Sequence, residues 1–211
     1  MSSREDVLKS GRRAQVRPQP PRAGPAAASP AWPSSPASWP SGENDAVTYR
    51  ICVVCTGNIC RSPMLEFLLR EALDDAGLAD RVSVDSAGVS AEEAGNRADS
   101  RTLAVLARQG HDDWGGRAHR ARRIERSWLD ERDLVLAADA GHLRALHRLA
   151  GDRHTDHIRL IRSFDPDAVA AGDLDVDDPW YGSTAAFDRT YAELRAAVPG
   201  ILAHVRAALD A

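Results

Sequence analysis

Residues 51–63 constrain the fold more than any other stretch of this chain. Ile51-Cys52-Val53-Val54-Cys55 is a continuous apolar run, the pattern of a strand buried on both faces. It leads through Thr56-Gly57-Asn58-Ile59-Cys60-Arg61-Ser62 to Pro63, a residue favoured in the first turn of a helix. Leu65, Leu68, Leu69, Ala72, Leu73 and Ala76 then recur at helical spacing, and Gly77 closes the helix. The alternation continues downstream. Arg81 to Asp85 reads as a second strand, stopped by Ser86-Ala87-Gly88, and Ala98 to Gln109 as a second helix capped by Gly110. Asp133 to Ala138 reads as a third strand, followed by a helix from about Gly141 to Ala150. Ile158 to Ile161 reads as a fourth strand. From Ser183 the chain is helical, with Phe187, Tyr191, Leu194, Ile201, Leu202 and Val205 on one face and a break or kink expected at Pro199-Gly200. These elements predict an α/β single domain: a four-stranded parallel sheet flanked by helices on both faces, with its site at the strands' carboxyl ends.

The first 46 residues differ in kind. Eight of the 12 prolines precede Val47, among Ala, Ser and Arg, with no Ile or Phe. Such a segment cannot bury enough apolar surface to offset its ordering entropy. Residues 1–46 are therefore expected to form a disordered N-terminal tail and residues 47–211 the folded domain. The tail reads as a solvated extension, or as the product of a start codon placed too far upstream. Arg12-Arg13 could open an export signal, but the uncharged stretch behind it is broken by prolines and makes a poor apolar core. Lys and Arg total 27 against 31 Asp and Glu, a net charge of −4, which argues against an electrostatically driven nucleic-acid or membrane-surface binder. No apolar run exceeds the five residues of Ile51–Cys55, far short of the ~20 that a membrane span needs. Three cysteines cannot all pair within one chain, so a reducing, cytoplasmic setting fits better than a disulfide scaffold.

The junction after the first strand carries the chemistry. Cys55-x5-Arg61 alone is weak evidence in a chain this rich in arginine. Its setting strengthens it, because a strand–loop–helix junction aims several backbone N–H groups and the positive end of a helix dipole at one point. Gly57 permits close backbone approach, and Asn58 is the residue type other than glycine most tolerant of a left-handed turn. Arg61 offers an always-charged fork for two phosphate oxygens. Residues Thr56, Gly57, Asn58, Ile59, Cys60 and Ser62 thus read as a cradle for a dianion. The amide dipoles, Arg61 and the Ser62 hydroxyl all favour a thiolate at Cys55, placed for in-line attack on phosphorus. Cys52, by contrast, reads as a core residue.

Attack by sulfur also needs a proton for the leaving oxygen. Asp178-Pro179-Trp180-Tyr181-Gly182 is the best source. Asp178 is a candidate general acid, and Trp180 and Tyr181 supply flat walls for an aromatic ring.

Cys55 to Pro63, with Asp178 to Gly182 far downstream, resembles the low-molecular-weight protein tyrosine phosphatase family, especially its actinobacterial members. The likeness spans about residues 47–211. It implies hydrolysis of phosphotyrosine in proteins through a phosphocysteine intermediate, without metal or cofactor. Cys55 would be the nucleophile, Arg61 the binder of phosphate and transition state, and Asp178 the general acid and then base. It further implies that Asn58 holds the loop, that Ser62 bonds the thiolate, and that Ser86 and His119 buttress Asn58. Cys60 would be a second loop cysteine able to form a reversible disulfide with the nucleophile, and Asp139 a structural aspartate. One departure stands out. Ser90-Ala91-Glu92-Glu93-Ala94 occupies the stretch where many relatives carry an aromatic rim residue. Glu92 and Glu93 there predict a preference for basic residues flanking the phosphotyrosine.

Three rival readings weigh less. Protein-arginine phosphatases on the same scaffold resemble this loop but carry Thr where Ile59 stands. Thiol-coupled arsenate reduction needs further cysteines downstream, and none follows Cys60. A non-catalytic phosphotyrosine binder would lack Cys55, Arg61 or Asp178. Elsewhere, Arg117 to Arg126 reads as a solvated basic face, and Trp114 and Trp128 as packing residues. The scattered His residues lack companions at metal-ligand spacing.

Overall fold

The computed structural model describes residues 48–111 and 118–211. The expected tail, together with Trp114 and Arg117, lies outside them. Four parallel strands form the sheet: β1 (Tyr49–Cys55), β2 (Val82–Gly88), β3 (Leu134–Ala137) and β4 (Ile158–Leu160), in the order β2-β1-β3-β4. The chain moves from β1 outward to β2 and then crosses back to β3. The ends of β1 and β3 therefore border the point where strand order reverses, where open α/β sheets bind ligands.

The helices are α1 (Arg61–Asp75), α2 (Ser100–Arg108), α3 (Arg126–Glu131), α4 (Ala140–Ala150), α5 (Pro166–Ala171) and α6 (Thr184–Leu209). Alternation along β1 divides the core. Ile51, Val53 and Cys55 pack with Leu65 and Leu69 of α1, Leu106 of α2 and Phe187, Leu194 and Ile201 of α6. Cys52 and Val54 face the other way, with Leu129 of α3 and Leu146 and Ala150 of α4. A strand walled on both faces has no room for a polar side chain, which is why its sequence is an unbroken apolar run. Cys52 is fully buried, as expected, and burial pushes its thiol well above the usual value.

Three expectations need correction. Ser86-Ala87-Gly88 does not stop β2, because those residues pair with Val53, Val54 and Cys55. Their small size serves close approach instead: a Cβ on Gly88 would lie 2.5 Å from the Thr56 carbonyl oxygen. Nor does Pro199-Gly200 break the last helix, since α6 runs through Pro199. Ala197, Ile201 and Val205 are fully buried on either side, and that packing outweighs the lost backbone bond. Gly200 lets the helix close on the 3-10 turn Ile161–Phe164, where a Cβ would run into the Phe164 carbonyl oxygen. The fourth strand ends at Leu160 because that turn begins at Ile161. The short helices α3 and α5 were not anticipated. The second carried a readable signal, an Asp165 cap accepting from Asp167 N ahead of Pro166.

Candidate active site

The loop between β1 and α1 is held open by its own side chains. Asn58 sits at φ +60°, the one positive φ outside glycine among the described residues. Asn tolerates that region because its amide can bond locally. Here the amide is fully used: Nδ2 donates to Ser62 Oγ (2.9 Å) and to Ser86 Oγ (2.7 Å), and Oδ1 accepts from the Arg122 amide (3.1 Å). His119 Nε2 meets the Asn58 carbonyl at 2.8 Å, and burial keeps that imidazole below its ordinary pKa. Ser86 in turn donates a short hydrogen bond to Glu66, a buried carboxylate that Arg70 pairs at 2.5 Å. Glu66 was missed in the sequence, where it sits among the helical residues of α1 with nothing to set it apart.

Cys55 Sγ lies 3.1 Å from Ser62 Oγ. Asn58 already donates to that hydroxyl oxygen, so its proton is left for the sulfur or for the Ala87 carbonyl at 3.4 Å. The sulfur is the nearer acceptor. Helix α1 begins at Arg61 with no side-chain cap, which leaves its first amides unsatisfied beside the loop. Cys60 is free and buried, and its thiol is pushed up to about 12, first by burial and then by the charges of Asp99 and Cys55.

Arg61 is 3% exposed, yet four groups hold its fork. Nη1 donates to Asp139 Oδ2 (2.9 Å) and to the Val176 carbonyl (3.2 Å). Nη2 donates to Asp178 Oδ2 (2.8 Å) and to Thr56 Oγ1 (3.3 Å). Burial opposes ionisation of Asp139, but its bonds to His142 and the nearby Arg61 prevail and hold its carboxyl well below the usual carboxylate range. The guanidinium and the Asp178 carboxylate, read as phosphate binder and acid, thus grip each other.

The segment carrying Asp178 turns tightly: Trp180 N donates to Asp178 Oδ1 (3.2 Å) and Gly182 N to the Pro179 carbonyl (2.8 Å). Trp180 and Tyr181 meet edge to face with ring centroids 6.5 Å apart, and Tyr181 is 98% exposed. From α2, Arg101 reaches across to this segment. Its Nη1 donates to the carbonyls of Trp180 (3.1 Å) and Gly182 (3.3 Å), while Asp99 pairs its other face at 2.8 Å. The guanidinium lies 4.5 Å from the centre of the Phe187 ring. Sequence reading missed Arg101 as well.

On the other rim, Glu93 lies over the loop, its Cγ 2.8 Å from where a Cβ on Gly57 would stand. Asn96 Nδ2 donates to its carboxylate (2.7 Å), and Glu92 is exposed. The basic stretch is not all solvated: Arg122 pairs buried Asp85 at 3.1 Å and, with Arg132, lies over Trp128. A carboxylate at Asp85 recruits the cation inward.

Residues 50–211 match the low molecular weight phosphotyrosine protein phosphatase family. The chain is 52% identical to the low molecular weight protein-tyrosine-phosphatase of Streptomyces coelicolor over 161 residues, which covers 76% of this chain and 95% of that one. It is 38% identical to low molecular weight protein-tyrosine phosphatase A of Mycobacterium tuberculosis over 151 residues, 72% and 88% of the two chains. Among solved structures it resembles YfkJ from Bacillus subtilis, with TM-score 0.67 and 31% identity over 75% of this chain and 94% of that one. It also resembles Wzb of Vibrio vulnificus in complex with benzylphosphonate, with TM-score 0.60 and 28% identity over 72% and 94%. The family match spans three quarters of the chain, and the four-stranded parallel sheet agrees with the solved structures it resembles: the chain belongs to the low molecular weight phosphotyrosine protein phosphatase family.

Proposed function

We propose that Cys55, Arg61 and Asp178 carry the phosphatase chemistry of this chain. The Cys55 thiolate attacks phosphorus in line with the tyrosyl oxygen while Arg61 binds two non-bridging oxygens. As the P–O bond breaks, Asp178 gives its proton to the leaving phenol oxygen, and a phosphocysteine remains. Asp178, now a carboxylate, takes a proton from water; the hydroxide attacks phosphorus, the S–P bond breaks, and phosphate leaves. Thr56, Gly57, Asn58, Ile59, Cys60 and Ser62 form the cradle, Ser86 and His119 support Asn58, and Trp180 and Tyr181 flank the incoming ring.

The observation that carries this reading is the Arg61 fork, buried beside the loop and 2.8 Å from Asp178. The benzylphosphonate complex of Wzb supports an aryl substrate, because that ligand has a benzyl group bonded to phosphorus as a tyrosyl phosphate has an aryl group bonded through oxygen. The substrates are phosphotyrosine proteins, and Glu92 and Glu93 favour basic flanks around the phosphotyrosine. Residues 47–211 form the working domain behind an N-terminal extension, 1–46. No helix among the described residues is long and apolar enough to cross a membrane, and three free thiols fit a cytoplasmic location. Hydrolysis of p-nitrophenyl phosphate and of phosphotyrosine peptides, abolished in Cys55→Ser, tests the reading. Faster turnover of phosphoarginine, or full activity in Cys55→Ser, would refute it.

A further inference from the structure

The polar contacts around Arg61 close on themselves. Nη1 donates to Asp139 Oδ2 at 2.9 Å, and the other oxygen of that carboxylate, Oδ1, lies 2.8 Å from His142 Nδ1. His142 Nε2 lies 2.9 Å from Thr56 Oγ1, which accepts from Arg61 Nη2 at 3.3 Å. The circle joins the loop after β1 to the first turn of α4, where Asp139 is the cap and accepts from the His142 amide at 2.9 Å.

His142 is 5% exposed, an unusual place for an ionisable ring that only packs. Its Nδ1 is buried and off the axis of an aligned hydrogen bond, so its close approach to the Asp139 carboxylate is mainly electrostatic. A lone pair on Nδ1 would face a carboxylate oxygen; a proton there faces it favourably. With the ring proton on Nδ1, Nε2 is the acceptor. It takes the Thr56 hydroxyl proton and leaves the Thr56 oxygen free to accept from Arg61. The Thr56 hydroxyl and Arg61 Nη2 then each find an acceptor, the Nδ1 proton rests against the Asp139 carboxylate, and the hydroxyl of Thr56 is committed to the ring.

This matters when substrate arrives. Asp178 must then leave Nη2, and Thr56 remains as the side-chain partner on that nitrogen, with Asp139 and the Val176 carbonyl on Nη1. Bidentate recognition depends on the plane of the fork. We propose that His142 is a positioning residue for phosphate binding: through Thr56 and Asp139 it fixes the rotation of the Arg61 guanidinium in the cradle. This rests on Arg61 as the phosphate binder.

The test uses the full chain and four variants: His142→Leu, His142→Gln, Thr56→Val and His142→Leu/Thr56→Val. Competitive inhibition by inorganic phosphate, kcat and KM on p-nitrophenyl phosphate, and the melting temperature are measured for each. His142→Leu should weaken phosphate about 10-fold and lower kcat/KM by at least as much, since a misplaced reacting group is costly. His142→Gln, whose amide can bond on both sides, should restore most of the loss. Thr56→Val opens the same ring from an exposed position, so the double variant should be no worse than the worse single one. Unchanged phosphate affinity in His142→Leu with only a lowered melting temperature would overturn the proposal. So would unchanged affinity in Thr56→Val, or single effects that multiply. A parent chain that fails to hydrolyse p-nitrophenyl phosphate would instead count against the assignment of the site.

Discussion

Arg101 has no part in the proposed bond-breaking steps, yet the geometry makes it the tether of the segment that carries Asp178. Arg101→Ala removes the donors to the Trp180 and Gly182 carbonyls at 3.1 and 3.3 Å and the cation lying 4.5 Å over Phe187. Charged-donor hydrogen bonds contribute about 1.5–3 kcal/mol when buried. The Arg101 side chain is 37% exposed, so solvent screening discounts them to roughly 1–2 kcal/mol together. That is about 5- to 30-fold in the population of the docked segment. The loss should reach the rate only where a proton is needed. A p-nitrophenolate leaves readily without one; a phenolate does not. We expect kcat/KM on phenyl phosphate to fall about 5- to 30-fold in Arg101→Ala, and on p-nitrophenyl phosphate clearly less. Arg101→Lys, which keeps charge but cannot fork to two carbonyls, should fall between. Equal losses on both esters with an unchanged melting temperature, or no loss on either, would refute the reasoning.

Asp178→Ala should act in opposite directions on two readouts. Turnover of phenyl phosphate falls about 100- to 10,000-fold with the acid gone, while inorganic phosphate binds about 2- to 5-fold tighter because its half-exposed competitor for Arg61 is removed. Gly88→Ala drives a methyl to within 2.5 Å of the Thr56 carbonyl oxygen; we expect a stability loss of about 1–3 kcal/mol by denaturant titration and weakened phosphate binding as the loop shifts. Cys60 ties stability to alkaline pH. Burial pushes its thiol up from the ordinary value to about 12, so the folded state holds the proton longer. Its contribution is full below pH ~9 and is lost as pH rises toward ~12, at about 1.4 kcal/mol per pH unit. Cys60→Ala should flatten the stability profile in that window by that slope.

The residues that spoke for themselves in the sequence are those whose role is local. The run from Ile51 to Cys55 must be a doubly buried strand, and the Asn58 and Pro63 positions follow from the turn and the helix start that come next. The small residues Ser86 to Gly88 were misread because their reason lies across the sheet, in the Thr56 carbonyl that passes 2.5 Å from a would-be Cβ. Pro199 was misread because local breaking was weighed without the burial of Ala197 and Ile201 on either side. Glu66, Arg101 and His142 were silent for a related reason. Each sits on a helix, where a charged residue ordinarily faces water, and each gains its meaning from a partner 20 to 86 positions away. Reversal of strand order brings those partners together: the ends of β1 and β3 are hydrogen-bonded neighbours, so the loop after one and the cap of the helix after the other share a single crevice. An arginine buried there cannot satisfy its fork from its own helix. It must draw Asp139, Val176, Thr56 and Asp178 from three other segments. The same burial that suits Arg61 to the proposed anion site therefore makes its orientation a property of the whole sheet. Substitutions at Asp139, far from the cysteine in sequence, should consequently weaken phosphate binding more than stability, measured by phosphate inhibition against melting temperature. Asp139→Asn, which keeps an acceptor for Nη1, should do so less than Asp139→Ala.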